Sequence, residues 1–401
     1  LISLGTGLER AGCKALLVVA HSSRDPDLAP FVRGAHLGTG LLIAPRRGRP
    51  RLGFVTPMER EEAAATGLPL LPPEALDVAR WQRGGASPAA FLAATAARAL
   101  QLCGLAPGRL ALAGRFAAGV VRAACAELER DGWSFVDGNE LVRRARRRKA
   151  AWEVEEARRA AAGAVAALRR VAALLGAAGV RRGELWLEGE RLKPRRLRRE
   201  IGRVLGERGL EQPEGAIVAA GSEAAVPHNQ GDPERTLRAG ESLVVDLFPK
   251  GLLYADCTRT LCVGEPGPAL AAAHAAVETA LRRARAAARP GVRAWSLQEA
   301  ACRLLARRGY ATPITHPGTT IGYVHGLGHG VGHELHEYPS FRPEAGADGV
   351  LERGDLFTLE PGLYDPAAGW GVRLEDLLRM GRTASEPLTP LPYALDPRAW
   401  V

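Results

Sequence analysis

Apolar positions along this chain change their period twice. Over residues 1–139, short continuous apolar runs alternate with stretches of helical periodicity. KALLVVA (14–20), GTGLLIAP (38–45) and RLALAG (109–114) read as strands, and 58–66, 88–104 and 116–131 read as helices. That alternation predicts an α/β domain over 1–139. From about 147 to 175, Val165, Leu168, Val171 and Leu175 recur at i, i+3/i+4 spacing. One long helix is expected there, at a domain junction. A second helix is predicted over 194–208. Beyond Pro213, short apolar runs are separated by Gly, Pro and Asp, and helices follow at 268–288 and 295–308. The second domain is therefore expected over 140–401.

A length of 401 residues suits two domains better than one core. No run of 18 apolar residues occurs, so no membrane-spanning helix is expected. The first residues, LISLGTGLER, lack a basic segment followed by an apolar one, so no signal peptide is expected. Cys13, Cys103, Cys125, Cys257, Cys262 and Cys302 form no CxxC pair, which fits free thiols in a cytoplasmic setting. The formal charge of +10 and the runs RRARRRK (143–149) and RLKPRRLRRE (191–200) raise nucleic-acid binding. Both runs lie in helical sequence where Arg coats a solvated face, and no nucleic-acid motif accompanies them. Nucleic acid and membrane are therefore not expected as partners.

Chemistry concentrates in HGLGHGVGHELHE, 325–337, which holds four of the nine histidines. The four glycines at 326, 328, 330 and 332 would each cost a helix about 1 kcal/mol. A strand is expected instead, with His325, Leu327, His329, Val331 and His333 on one face and bare glycine on the other. Bare backbone in a strand marks close approach by another segment or a ligand.

Four acids lie in apolar, strand-like sequence, where an unpaired carboxylate is costly. Asp246 and Asp256 flank a turn at Pro249-Lys250-Gly251. A three-residue loop, 250–252, would set them opposite one another on one side; a two-residue loop would put them on opposite faces. Glu360, in FTLEPGLY, and Glu375, in GVRLED, each stand near a strand end. Plainer alternatives exist: a turn cap for Asp256, and an ion pair with Arg373 for the glutamates. Four carboxylates with one imidazole suit Mn²⁺, Co²⁺, Fe²⁺ or Zn²⁺ and exclude a thiolate site. Such a set holds two divalent ions, which about 3.5–4 Å apart activate a water and polarise a carbonyl. That chemistry is hydrolysis.

AAVPHNQG, VVDLFPKGLLYADCTRT, HGLGHGVGHELHE, FTLEPGLY and GVRLED, in that order, resemble the pita-bread metallopeptidases, in their Xaa-Pro dipeptidase and Xaa-Pro aminopeptidase branch. DLAPFVRGAHLGTGLLIAP is similar, more loosely, to the creatinase-type N-terminal domain of that family. The resemblance implies an α/β N-terminal domain followed by an α+β pita-bread catalytic domain with a curved antiparallel sheet. It implies two metal ions, with manganese first and cobalt, zinc or iron as alternatives. Asp246 would chelate the first ion, Asp256 and Glu375 would bridge, and His329 and Glu360 would complete the second. Glu360 would be the general base. His228 would contact substrate near the scissile bond, and His336 would stabilise the tetrahedral intermediate or shuttle a proton. His325, Tyr364 and Arg373 would line the substrate pocket.

The implied substrate is a small peptide containing proline, hydrolysed by a dipeptidase, or by an aminopeptidase if longer peptides enter. A homodimer is implied as well. Two departures stand out: the turn between Asp246 and Asp256 looks short for the family, and His333 occupies a position that is usually aliphatic, where a packed side chain is expected. A non-catalytic pita-bread binding protein is the alternative from another class; relatives of that kind commonly lack the ligands, all five of which are present here.

Overall fold

The computed structural model describes residues 4–400, in two compact units that divide between Arg148 and Lys149.

The first unit is built on a six-stranded mixed sheet. Its strands run in the order Leu70–Leu71, Arg51–Phe54, Gly40–Pro45, Ala15–Ala20, Arg109–Ala113, Ser134–Asp137. Ala15–Ala20 is apolar throughout because helices cover both faces. Leu16, Val18 and Ala20 join a core with Leu4, Leu8, Val142 and Ala145, whereas Ala15, Leu17 and Val19 meet Ala96, Leu100 and Leu128 on the other side. The helix Asn139–Arg147 buries Val142 and Ala145 in the first of these cores. The division therefore falls nine residues beyond the expected 139/140: apolar packing assigns that arginine-rich helix to the first unit.

The second unit combines two helix pairs with short antiparallel sheets. Helices Ala151–Gly176 and Pro194–Gly206 share one core with Val245, Leu247, Cys257, Leu261, Leu356 and Leu377. Helices Pro268–Ala287 and Ala294–Ala306 share another with Phe357, Leu359, Leu363, Val372 and Leu378. One sheet orders Ala216–Ala220, Leu243–Leu247 and Cys257–Leu261; a second orders Leu356–Leu359, Asp376–Met380 and Ser385–Pro387; Gly362–Asp365 pairs with Trp370–Arg373. Strand parity sorts the chemistry. In the first sheet Val245, Leu247, Cys257 and Leu261 face the helices, so Asp246, Thr258 and Thr260 face away from them. The sheets are stitched on that side. Thr260 Oγ1 accepts from Arg373 N and donates to Arg373 O, both at 2.9 Å, and Glu375 N donates to Thr258 O at 3.0 Å.

Two local expectations are corrected. The 246/256 hairpin is longer than a loop at 250–252 requires. Asp246 pairs with Thr258, and Lys250 bridges Tyr254, so the tight loop is 251–253. The register moves by two residues, so the even positions keep their common side. Residues 325–333 form no continuous strand. They run extended beside Leu356–Leu359: Thr358 N donates to His329 O (2.8 Å), Glu360 N to Leu327 O (2.7 Å) and Val331 N to Leu356 O (3.0 Å). The glycines allow this approach. A Cβ at Gly328 would lie 2.1 Å from Thr358 O, and one at Gly330 would lie 2.1 Å from Tyr338 O.

Candidate metal centre

Leu243–Leu247 presents Asp246 one residue before its end, and Asp256 immediately precedes Cys257–Leu261. Glu360 follows Leu356–Leu359, and Glu375 lies between Trp370–Arg373 and Asp376–Met380. Strand ends suit such groups, because rigid backbone aims a side chain where pairing stops. The extended segment at 327–331 delivers His329.

These residues converge. One donor atom each of Asp256, His329 and Glu375 lies within 4.8 Å of the others. His329 Nε2 is 3.5 Å from Asp256 Oδ2 and 3.6 Å from Glu360 Oε1. His329 Nδ1 lies 3.1 Å from the carbonyl of Gly330, an acceptor only, so Nδ1 carries the proton. Nε2 therefore turns a bare lone pair toward two carboxylates. Burial, reinforced by His336, holds the His329 pKa at about 3, so the ring stays neutral.

The carboxylates crowd one another. Burial, then Glu375, Asp246 and Glu360, raises the Asp256 carboxyl well above the usual range. Burial and Glu375 do the same to Glu360, against an opposing pull from Arg373. Burial and Asp246 push Glu375 up to about 7. Asp246 Oδ1, Asp256 Oδ1 and Glu375 Oε1 are buried and find no hydrogen-bond partner among the described residues. Buried polar atoms are ordinarily satisfied. These carboxylate oxygens, together with a His329 Nε2 lone pair directed at Asp256 and Glu360, make a donor set of oxygens and one imidazole nitrogen. Hard divalent cations fit it, and sulfur ligands are absent from it.

The surrounding groups hold the acids in place. Thr258 Oγ1 donates to Glu375 Oε2 at 2.9 Å, and Arg373 pairs with Asp246 Oδ2 at 2.6 Å. The second Arg373 arm donates to the Tyr364 hydroxyl (2.9 Å), which lies 2.8 Å from His325 Nε2. His325 Nδ1 faces the carbonyl of Gly326 at 2.8 Å, so Nε2 accepts from the phenol. Arg373, expected in the substrate pocket, is thus also the counter-ion of Asp246. Its partner is Asp246 and not either glutamate, so the ion-pair alternative for Glu360 and Glu375 is not what the fold adopts. His336 is exposed, with its ring centroid 4.1 Å from that of His329. His228 is exposed as well, near enough for its charge to lower the pKa of His325. His333 does not join the centre. It is buried and lies 2.7 Å from Glu153 Oε1.

Thr258 escaped the sequence reading. Its place opposite Asp246 was the available signal, but that signal depends on the register, which the hairpin length hid.

Residues 155–381 match the family described as metallopeptidase family M24. The Xaa-Pro dipeptidase of Pyrococcus horikoshii is 34% identical over 202 residues, 49% of this chain and 53% of that protein. The Xaa-Pro dipeptidase of Lactobacillus delbrueckii subsp. lactis is 37% identical over 174 residues, 43% of this chain and 44% of that protein. The Xaa-Pro aminopeptidase 2 of Streptomyces coelicolor is 32% identical over 280 residues, 63% of this chain and 56% of that protein. The matched stretch spans about half the length of these curated relatives. The crystal structure of the prolidase from Pyrococcus horikoshii OT3 superposes with a TM-score of 0.74 at 22% identity, covering 98% of this chain and 99% of that one. At that identity the likeness concerns the fold, which is the expected two-domain pita-bread arrangement. More than half of the chain, including Asp246, Asp256, His329, Glu360 and Glu375, falls inside the family match, and the chain belongs to metallopeptidase family M24.

Proposed function

We propose that this chain is a metal-dependent peptidase that hydrolyses the bond between a residue and a following proline, acting first of all on dipeptides. The observation that carries this reading is the donor set: an unprotonated His329 Nε2 facing Asp256 and Glu360, beside three orphaned carboxylate oxygens. Asp246, Asp256, His329, Glu360 and Glu375 would hold two divalent ions, manganese first. When bound, the ions would supply a water of lowered pKa and a Lewis acid for the scissile carbonyl.

The chain's own groups do the rest. Glu360 takes the proton of the attacking water and returns it to the leaving proline nitrogen. His336, on the exposed side of His329, donates to the oxygen on which charge develops. His228 orients the substrate near the scissile bond. Tyr364, anchored by Arg373 and His325, walls the pocket. Arg373, 2.6 Å from Asp246 Oδ2, holds that carboxylate aimed. The first unit is read as a creatinase-type domain. A homodimer and a reducing cytoplasmic setting, which suits six unpaired cysteines, complete the proposal.

Relatives named Xaa-Pro dipeptidase favour dipeptides. The aminopeptidase relative matches a larger share of this chain, 63%, and supports a second reading in which Xaa-Pro-Yaa peptides also enter. The test is hydrolysis of Xaa-Pro dipeptides and Xaa-Pro-Yaa peptides by metal-stripped protein reloaded with Mn²⁺, Co²⁺ or Zn²⁺. Metal-dependent release of proline from dipeptides is expected. Turnover of neither class with any of the three metals would overturn the proposal.

A further inference from the structure

The loop that carries His336 is held by residues the chemistry does not use. Gly330 N donates to Glu337 O at 3.1 Å, and Glu337 N to Gly330 O at 2.9 Å, so residues 331–336 form a closed loop. The Glu337 carboxylate is paired with the Lys149 ammonium, and both side chains are fully out of solvent. His333, within the loop, lies 2.7 Å from Glu153 Oε1, and Glu153 Oε2 accepts from Ala150 N at 2.6 Å. Lys149 and Glu153 flank the start of the helix Ala151–Gly176. Two buried pairs thus fasten this loop to one helix N-terminus. Gly332 packs against the first pair: a Cβ there would lie 2.1 Å from Glu337 Oε1 and 2.8 Å from Lys149 Cε. The absence of a side chain at 332 is what lets Lys149 and Glu337 meet.

Buried ion pairs add little net stability, because desolvation offsets their attraction, but they fix geometry. His329 has a separate anchor, since its main chain is bonded to Thr358. The latched loop bears His336.

We propose that the Lys149–Glu337 pair, backed by His333–Glu153, is a latch that sets the His336 imidazole beside the metal centre. Lys149 and Glu337 are then positioning residues, and the role assigned to His336 rests on the function proposed above. Because His329 is anchored elsewhere, breaking the latch displaces His336 and leaves the metal ligands in place.

The experiment is a double-mutant cycle on the metal-loaded full chain. Lys149→Met is expected to lower kcat roughly 10- to 100-fold, as small misplacements of catalytic groups do, with KM within about threefold and bound metal unchanged. In a His336→Ala background the same substitution should cost nothing further, because its effect passes through that ring. Full additivity, or loss of bound metal in Lys149→Met, would overturn the proposal. If Lys149→Met does not fold, the isosteric Glu337→Gln carries the same cycle and is read in the same way. A second readout is independent of turnover: in histidine-labelled protein, the side-chain resonances of His336 should move in the latch variant while those of His228 stay. An unmoved His336 would overturn the latch. Absence of turnover in the wild type would count against the peptidase reading alone, and the resonance test would still decide the latch.

Discussion

Replacing Glu375 by glutamine should make the metal-free protein more stable at alkaline pH, although it removes a proposed metal ligand. Burial and Asp246 push the Glu375 carboxyl from an ordinary 4.5 up to about 7. The folded state therefore holds this proton more tightly than the unfolded chain does. Stability falls as pH rises from about 4.5 to about 7 and is then level. At about 1.4 kcal/mol per pH unit, that span is worth about 3 kcal/mol. A glutamine never ionises, so it escapes this penalty, and its amide can donate to the neighbouring acids. Buried neutral His325 and His329 titrate in both proteins, so their opposite slope, in which stability is lost as pH falls, cancels in the comparison. The assay is urea unfolding of both proteins in chelator between pH 4.5 and pH 8. Glu375→Gln should exceed the wild type by at least about 3 kcal/mol at pH 8, since losing this charge also eases the repulsion on Asp256 and Glu360, with the difference closing toward pH 4.5. Saturating Mn²⁺ should reverse the order, because binding to the folded state stabilises the protein with the intact ligand set. A glutamine variant less stable than the wild type at pH 8 without metal would refute the reasoning that repulsion among these acids strains the empty centre.

Other consequences can be checked directly. Glu360→Gln should lower kcat by about a thousandfold or more while circular dichroism stays native, because it removes the proposed proton carrier. Tyr364→Phe deletes the hydroxyl between Arg373 and His325. Leaving those partners unmatched costs about 1–3 kcal/mol, so kcat/KM should drop roughly 5- to 150-fold, with bound metal retained. Gly328→Ala would drive a Cβ to 2.1 Å from Thr358 O. The strain, about 1–3 kcal/mol or more, should lower the Tm and weaken metal binding, since it pushes the extended segment of His329 away from Thr358.

Helices were the most legible part of this chain. Those expected over 88–104, 194–208, 268–288 and 295–308 appear as Pro88–Leu102, Pro194–Gly206, Pro268–Ala287 and Ala294–Ala306. Their periodicity is local, and Pro or Gly marks most of their starts. The acids were legible for a different reason: a carboxylate in a buried apolar run needs an explanation that only a partner can give. The register of the 246/256 hairpin was not legible, because it turns on a three-residue loop whose position sequence alone leaves open. Residues 325–333, expected as a strand, run extended beside Leu356–Leu359 without forming a continuous one; the glycines that signalled close approach also left the ladder irregular. His333 and Lys149 were opaque, because each finds its partner about 180 residues away in the chain.

The central claim is that Asp246, Asp256, His329, Glu360 and Glu375 enclose a pair of cations. An anomalous-difference map from crystals soaked in Mn²⁺ tests it most directly. Two peaks among these five side chains, one in contact with His329 Nε2 and the other with Asp246, are the predicted result. A map with no peak there, or with manganese only elsewhere on the protein, would contradict the account.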